Sequence, residues 1–295
     1  MNPEQQRNWK QQTLDLVFQA LAESRELSKY LVYKGARILA LRLGTMHRAS
    51  YDLDANLLEV FSRDFPTRQD QVARLETLIR QAITNFVETQ SLVRFALENV
   101  KVVHRPRDVH PLGWNAFDVS IRLHDHAQEG TRGLPTITFD IAAPESLGAT
   151  AIAPLKVGEM EVFAYTLERL AGEKLRAFLS SLPSYRTKVA KPGEAVRVKD
   201  IYDVGKILLV HPIEHLDFWA TAGHEFRLAC ASRFIDCAGI GTFEEAFEVT
   251  QATYEADPTI PKDLSFAEAW NGIRNIIALW GRSDLVDFQY PLPEE

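Results

Sequence analysis

Cysteine is scarce in this chain of 295 residues, which contains only Cys230 and Cys237. Two thiols are too few for a disulfide framework or a four-cysteine zinc site, so neither is expected to hold the fold together. The chain also lacks a run of about 18 apolar residues, the length that a membrane span needs. Its first segment, MNPEQQRNWKQQ, is polar and has no hydrophobic signal core. These absences predict a soluble cytoplasmic protein without a membrane segment.

Several catalytic motifs are missing as well. The chain has no Walker-type or dinucleotide-type glycine motif, and no H-E-x-x-H zinc motif accompanies its histidines. The net charge of −7 argues against a protein that coats DNA through an overall positive field. Lysine and arginine nevertheless cluster at Arg94–Arg107 and Arg186–Lys199. Nucleic acid therefore stays open as a substrate, without positive support from charge.

The apolar patterns that are present predict an α+β protein. Strands are predicted over 50–58, 115–123 and 135–141, the last two as an antiparallel hairpin. Helices are predicted over 3–30, 37–43, 68–99, 166–182, 200–210, 216–231, 242–254 and 266–279. The segment 142–158 contains proline and glycine and is predicted to separate the two halves. We expect a domain of residues 1–150 with a mainly antiparallel or mixed sheet, and a helical domain of residues 151–295.

The segment SYDLD contains the sharpest local feature. If it is a strand, Asp52 and Asp54 lie side by side on one face and Leu53 points into the core. Two adjacent carboxylates repel each other, and a divalent cation with a preference for hard oxygen ligands, such as Mg²⁺, relieves that repulsion. The alternative is a solvated strand end or turn, which is common for an Asp-x-Asp pair.

A third acid, Asp140, lies on the polar face of the last predicted strand, beside Thr136 and Thr138. Asp118 on the partner strand is a competitor for the same role. Three carboxylates on neighbouring strands match the geometry of a metal site for in-line displacement at phosphorus. A surface acid on a strand is the simpler alternative.

Two helical segments carry further candidates. Lys174 falls on the apolar stripe of its predicted helix, so it either extends to the rim of the buried face or points toward an anion. In the segment RVKDIYD, Asp200 is predicted as an N-cap with Asp203 at the third helical position.

In this order, the segments KGARILALRLG, HRASYDLDANL, TITFDIA, LERLAGEKLRAFL and VRVKDIYDV resemble the AbiEii-type nucleotidyltransferase toxins of type IV toxin–antitoxin systems. The resemblance covers roughly residues 30–210. The first two segments are shared by many polymerase-β-like nucleotidyltransferases, whereas the Glu-Lys-Leu helix and the Lys-Asp-Ile-Tyr-Asp segment are more particular. The resemblance implies a polymerase-β-like core followed by a helical domain that closes over the nucleotide.

The resemblance also implies roles for single residues. Asp52 and Asp54 would hold Mg²⁺ and the triphosphate, and Asp140 would complete the metal site or act as a base. Gly35 would let the backbone approach the phosphates. Lys174 and Asp200 would complete the catalytic set, with Lys174 binding the triphosphate and Asp200 and Asp203 forming the wall of the cleft. Further nucleotide contacts are expected from Arg37, Arg48, Ser50 and Lys199.

One segment departs from the family pattern. Family members usually have Gly-Gly or Gly-Ser and then a small hydroxyl residue, where this chain has Gly35-Ala36-Arg37. Arg37 would either replace the hydroxyl with a charge-assisted contact or obstruct the nucleotide pocket.

The implied activity is Mg²⁺-dependent transfer of a nucleoside monophosphate from an NTP to an acceptor hydroxyl. An RNA acceptor is expected, a tRNA end above all, with growth arrest as the outcome and a cognate antitoxin as a partner. The basic linker Arg186–Lys199 would then contact the RNA backbone, although a protein acceptor stays open. The alternative is a catalytically inactive nucleotidyltransferase fold that binds a nucleotide or a partner. A helical scaffold with surface acids is a third interpretation.

Overall fold

The structure is a computed structural model, and it describes residues 2–45, 48–90, 94–106, 115–128, 133–142, 144–183, 196–233 and 243–282. The first helices and strands alternate. They are α1 (Pro3–Ala22), α2 (Arg25–Ser28), β1 (Leu31–Lys34), α3 (Gly35–Leu43), β2 (Asp52–Leu57), α4 (Glu59–Asp64) and α5 (Arg68–Thr89). The strands β3 (Phe95–Arg105), β4 (Ala116–Asp125), β5 (Ile137–Ala142), β6 (Ile152–Val157) and β7 (Met160–Tyr165) follow. The remaining helices are α6 (Leu167–Ser180), α7 (Val198–Val210), α8 (Leu216–Ser232), α9 (Phe247–Ala256) and α10 (Phe266–Arg282).

The strands form one mixed sheet in the order β3-β4-β5-β2-β1-β7-β6. β1 pairs with β2, and β4 pairs with both β3 and β5, in antiparallel fashion. β2 pairs with β5, and β1 with β7, in parallel fashion. The predicted α+β class, with a mixed sheet and helices concentrated toward the C-terminus, is confirmed.

The chain divides into two compact units that alternate along the sequence. The first, here called the sheet unit, contains Met1–Arg37, Ser50–Glu145 and Ala153–Ala164. The second, the helical unit, contains Ile38–Ala49, Ser146–Ile152 and Tyr165–Glu295. The domain boundary expected at residue 150 stays a prediction.

In the sheet unit, helices α1 and α5 pack on one face of the sheet. That face is apolar because alternate strand residues such as Leu53, Phe139 and Val119 are fully buried. The neighbouring residues on the same strands are polar and lie on the opposite face. One sheet face is therefore covered by the core of this unit, and the other carries hydrophilic side chains.

The core of the helical unit is aromatic. Its largest buried side chains include Trp219, Trp270, Trp280, Phe178 and Phe226. The indole of Trp280 donates a hydrogen bond of 2.8 Å to the Trp219 carbonyl, which satisfies a polar group inside an apolar core. No helix in the described part of the chain is long and apolar enough to cross a membrane.

Three predictions of secondary structure were wrong. The helix expected over 68–99 ends at Thr89, and the basic segment that follows forms strand β3. The expected separator 142–158 contains strand β6, and β7 was missed. The helix expected over 3–30 breaks at Ser24, whose hydroxyl accepts a hydrogen bond from the Leu27 amide and caps α2. Sheet pairing or capping thus ended the two helices that periodicity alone extended, and sheet pairing formed strands where proline and glycine had indicated a separator.

Candidate active site

Strand β2 places Asp52 and Asp54 on the polar face of the sheet. Leu53 between them is buried, as the alternation predicted, whereas Asp52 is exposed and Asp54 half-buried. The strand begins at Asp52 itself, so both acids lie within regular sheet structure. The hydroxyl of Ser50 donates a hydrogen bond of 2.9 Å to Asp52 Oδ1. Ser50 thus contacts the first acid directly.

Strand β5 brings Asp140 next to this pair. Asp140 lies opposite Asp54 in the parallel pairing of β2 with β5, and opposite Asp118 in the antiparallel pairing with β4. Residues that are opposite in a sheet share a face, so these acids form one row across three strands. Asp118 is ion-paired with Arg105. Asp52, Asp54 and Asp140 are called the acid set below.

The acid set affects the protonation of Asp140. Loss of hydration raises the pKa of this carboxyl, and the negative charges of Asp118 and Asp52 raise it further, against the opposing effect of Arg105. A carboxyl with a raised pKa among other acids gains from any cation that binds beside it. The electrostatics of this face therefore favour a bound cation.

Gly35 follows strand β1 and has a φ of +80°, which favours glycine. A Cβ built at this position would overlap Oδ2 of Asp54 and would also contact its Cγ and Cβ. Gly35 thus lies close to an acid of this chain, and the approach to phosphates expected of it stays a prediction. The glycine leaves room for the Asp54 carboxylate, whatever further contact it makes with a ligand.

Sequence reasoning missed two charged residues beside the acid set. Lys34 lies opposite Asp54 in the pairing of β1 with β2, and its Nζ is 3.5 Å from Glu145 Oε1. Both side chains are buried, with 8% and 4% of their area exposed. A lysine that ends an otherwise apolar strand, Leu-Val-Tyr-Lys, is the signal that would have pointed to it.

The Arg37 side chain is engaged with helix α1. It forms an ion pair with Asp15, and its guanidinium carbon lies 5.9 Å from the centre of the Phe18 ring. Whether it also touches a nucleotide stays a prediction. The side chain of Arg37, where this chain departs from the family pattern, therefore packs within the sheet unit.

A second cluster of charges lies in the helical unit. Lys174 on α6 is buried, and its Nζ donates hydrogen bonds to Asp203 Oδ2 at 2.6 Å and to Asp200 Oδ1 at 3.3 Å. The lysine therefore does not extend to the rim of the buried face, because two carboxylates of α7 hold it inside. Burial alone would lower its pKa, but Asp203 and Asp200 raise it.

Arg48 binds the same aspartate with a fork of two hydrogen bonds. Its Nε donates to Asp203 Oδ1 at 2.9 Å, and its Nη2 donates to Oδ2 at 2.8 Å. Burial would raise the pKa of Asp203, but Lys174 and Arg48 hold it below its ordinary value. Asp203 thus keeps two cations together, in the bidentate geometry that arginine also uses for phosphate.

The prediction that Asp200 is an N-cap is wrong. Helix α7 starts at Val198, so the cap position falls on Arg197 and Asp200 is the third helical residue. Arg197 Nε donates a hydrogen bond of 2.6 Å to Asp200 Oδ2. Burial would raise the pKa of Asp200, but Arg197 and Lys174 lower it to about 2. Arg48, Lys174 and Arg197, with their two aspartates, are called the cation set; three positive charges face two negative ones.

Most of the predicted basic linker lies outside the described part of the chain. Lys199 lies on α7 and is half-buried, whereas residues 184–195 lie outside the described part of the chain. Cys237 lies outside it too, and Cys230 is buried in the helical unit. The nucleotide-binding role of Lys199 stays a prediction.

Among the described residues, no group of three or more His, Cys, Asp or Glu side chains is close enough to hold a metal ion as the side chains stand. The acid set nevertheless fits a hard cation in its donor chemistry, because it offers only carboxylate oxygens on adjacent strands. The raised pKa of Asp140 and the cradle at Gly35 agree with that fit.

The comparisons with known proteins bear on this geometry. A family model described as "Nucleotidyl transferase AbiEii toxin, Type IV TA system" matches residues 18–275. The comparison with curated proteins found no match. Among solved structures, the chain is similar to an antigenic nucleotidyltransferase-like protein from Paracoccidioides brasiliensis, with 12% identity, a TM-score of 0.33, and coverage of 66% of this chain and 76% of that one. Because the family match spans most of the sequence, including every residue of the acid and cation sets, the chain belongs to the AbiEii nucleotidyltransferase toxin family of type IV toxin–antitoxin systems.

Proposed function

We propose that this nucleotidyltransferase toxin uses Mg²⁺ to transfer a nucleoside monophosphate from an NTP to a terminal hydroxyl of RNA. The end of a tRNA is the proposed acceptor, and modification of that end is the proposed cause of growth arrest. Membership of the family implies a nucleotide substrate and an antitoxin. The metal, the RNA and the tRNA end are our proposal.

The observation that carries the proposal is the register of the acid set. Asp54 lies opposite Asp140 on neighbouring parallel strands, with Asp52 two residues away on the same face. Asp52 and Asp54 would hold Mg²⁺, and Asp140 would add a third oxygen. When bound, such an ion neutralises charge on the triphosphate and on the leaving pyrophosphate.

Asp140 is also suited to accept the proton of the acceptor hydroxyl. Its carboxylate lies on the strand next to Asp54, on the face of the sheet that carries the acid set. The hydroxyl oxygen then bonds to the α-phosphorus, and the bond from that phosphorus to the bridging oxygen of the β-phosphate breaks. Pyrophosphate leaves with the electron pair, so atoms and charges balance.

The cation set is suited to bind phosphate. Lys174 and Arg48 each donate to Asp203, and Arg197 donates to Asp200. Arginine and lysine donors that are held together in this way can also bind the oxygens of a phosphate. Asp200 and Asp203 would keep the donors charged and oriented while the phosphate binds.

The first test incubates the protein with each labelled NTP, Mg²⁺ and total RNA. The wild type is expected to label RNA, and the Asp52→Asn, Asp54→Asn variant to lose at least about 1,000-fold in rate. Asp118→Asn is the matched control, since Asp118 shares the face but is paired with Arg105. It should retain the rate within a few fold. A wild type that labels no RNA, or an acid variant with normal activity, would overturn the proposal.

The acceptor is tested with tRNA whose terminal ribose diol has been oxidised by periodate. Oxidation destroys the terminal hydroxyl pair, so labelling should disappear on the oxidised tRNA and persist on the intact one. Label on protein in place of RNA would refute the RNA acceptor. Addition of EDTA should stop the reaction, and excess Mg²⁺ should restore it.

A further inference from the structure

The polar face of the sheet continues beyond the acid set toward the edge strand β3. Asp52, Thr138, Ser120 and Lys101 lie opposite one another in register on β2, β5, β4 and β3. Three strand spacings of about 4.8 Å place the lysine backbone roughly 14 Å from that of Asp52. One row of residues thus links an acid of the acid set to a cation at the sheet edge.

Lys101 has a second cation beside it. Arg122 on β4 lies opposite Asn99, two residues along β3 from Lys101, so the two cations are diagonal neighbours on one face. Both are exposed, and neither forms an ion pair with an acid anywhere in the described ranges. Nearby arginines behave differently: Arg105 pairs with Asp118, and Arg94 with Asp125.

Like charges that are neighbours on a sheet destabilise it, so an unpaired pair of this kind is suited to a bound anion. Between Lys101 and Asp52 the row contains only the hydroxyls of Ser120 and Thr138, and the neighbouring acid on this face, Asp118, is paired with Arg105. Nothing acidic interrupts the row from Lys101 to Asp52. This arrangement complements a phosphate backbone whose end reaches the acids.

We propose that Lys101 and Arg122 bind backbone phosphates of the acceptor RNA along the exposed face of the sheet. The proposal rests on the function proposed above, because it assumes an RNA acceptor. The length of the row corresponds to about four nucleotides at 3.4 Å per nucleotide of a stacked strand. The contacts are to phosphates, so they position the RNA without reading its sequence.

The test compares the Lys101→Gln, Arg122→Gln variant with a control that removes the same charge elsewhere in the sheet unit. The control is Arg63→Gln, Lys156→Gln, whose side chains are 77% and 72% exposed in the wild type. Binding of bulk tRNA is measured by fluorescence anisotropy without NTP, as a function of salt. Nucleotide transfer to tRNA is measured separately as a function of tRNA and of NTP concentration.

We expect the patch variant to raise the KM for tRNA roughly tenfold, with kcat and the KM for NTP within about twofold of the wild type. The slope of log affinity against log salt should fall by about 0.7 for each lost phosphate contact. The control variant should match the wild type in both measurements.

Several results would overturn this inference while leaving the proposed function intact. One is a patch variant that transfers to tRNA with normal KM and salt slope. Another is normal transfer with a loss of neutralisation by the antitoxin, which would assign the patch to a protein partner.

If the wild type binds tRNA through this patch but transfers nothing to it, the proposed function fails and the binding site stands. Absence of tRNA binding by the wild type refutes the binding site directly.

Discussion

Gly35 has a conformation and a neighbour that each favour glycine on independent grounds. Its φ of +80° strains any residue with a side chain, and a Cβ would also overlap the Asp54 carboxylate. Gly44 shares only the first property: its φ is +70°, but nothing lies within 4 Å of a Cβ built there. A comparison of substitutions at the two glycines therefore distinguishes the effect of backbone strain from the effect of displacing an acid.

Gly35→Ala is expected to reduce nucleotide transfer at least about 100-fold, whereas Gly44→Ala should leave it within a few fold. Gly44→Ala should lower the free energy of unfolding by about 1 kcal/mol, since it puts a side chain in the left-handed region, and Gly35→Ala should lower it by more because its Cβ also overlaps Asp54. Transfer assays and urea unfolding check this pair. Equal activity losses in both variants would show that the overlap with Asp54 does not matter.

Lys174 is a single residue that holds two buried carboxylates. Lys174→Met removes the cation and leaves Asp200 and Asp203 with fewer partners, so unfolding should become easier by about 3–5 kcal/mol. Lys206→Met is the control in the same unit, because the partner of Lys206, Asp263, is 52% exposed. It should cost no more than about 1 kcal/mol. Urea unfolding at pH 7 measures both, and similar costs would contradict the buried pairing.

Among the secondary-structure elements, helix α1 is tied to strand β4 by one buried acid. Asp125 is 1% exposed and accepts hydrogen bonds from Trp9 Nε1 at 2.8 Å and from Arg94 Nε and Nη2 at 3.0 and 2.8 Å. Arg94 holds the pKa of Asp125 below its ordinary value, and Trp9 contributes in the same direction against the effect of burial. The ionised carboxylate therefore stabilises the contact between these two elements.

The pH dependence of this contact follows from that direction. An aspartate with a lowered folded-state pKa stabilises the fold above its unfolded value of about 3.9, and the contribution is lost as pH falls through the folded value. Asp125→Asn should lower the free energy of unfolding by about 2 kcal/mol at pH 7, and by progressively less below about pH 4. The exposed Glu98→Gln is the control and should change it by less than about 0.5 kcal/mol. A cost independent of pH would contradict this account.

For the whole molecule, the chain passes repeatedly between its two units. The sheet unit takes β7 from beyond residue 150, where Ala164 pairs with Tyr33 of β1. A fragment of residues 1–150 consequently lacks β7, the strand that lies next to β1 on the side away from β2. Strand β2, which carries Asp52 and Asp54, pairs with β1, so its position in the sheet depends on a well-ordered β1.

A fragment cut after residue 150 is expected not to fold cooperatively, because β1 would become an exposed sheet edge. Chemical denaturation followed by circular dichroism, with the full chain as reference, measures this. A single sharp transition for the fragment would support a domain boundary at residue 150, the boundary predicted from the sequence.

Local patterns in the sequence determined several elements. Alternation of apolar residues predicted β2, β4 and β5 and the buried position of Leu53, because one face of each strand is covered by core. The apolar stripes of α6 and α8 predicted helices near their observed bounds. The motif order also pointed to the family, which the match over residues 18–275 establishes. These features depend on neighbours within a few residues, which a sequence displays directly.

Only the tertiary structure decided which charges meet. The pairing of β2 with β5 sets Asp54 beside Asp140, although 86 positions separate them (140 − 54). Packing of α6 against α7 brings Lys174 to Asp203. Arg48, which lies between α3 and β2, binds the same carboxylate. Strand β3 was missed because its pattern is weak until β4 pairs with it. Contacts between distant segments arise from register and packing, and no periodicity along the chain encodes them.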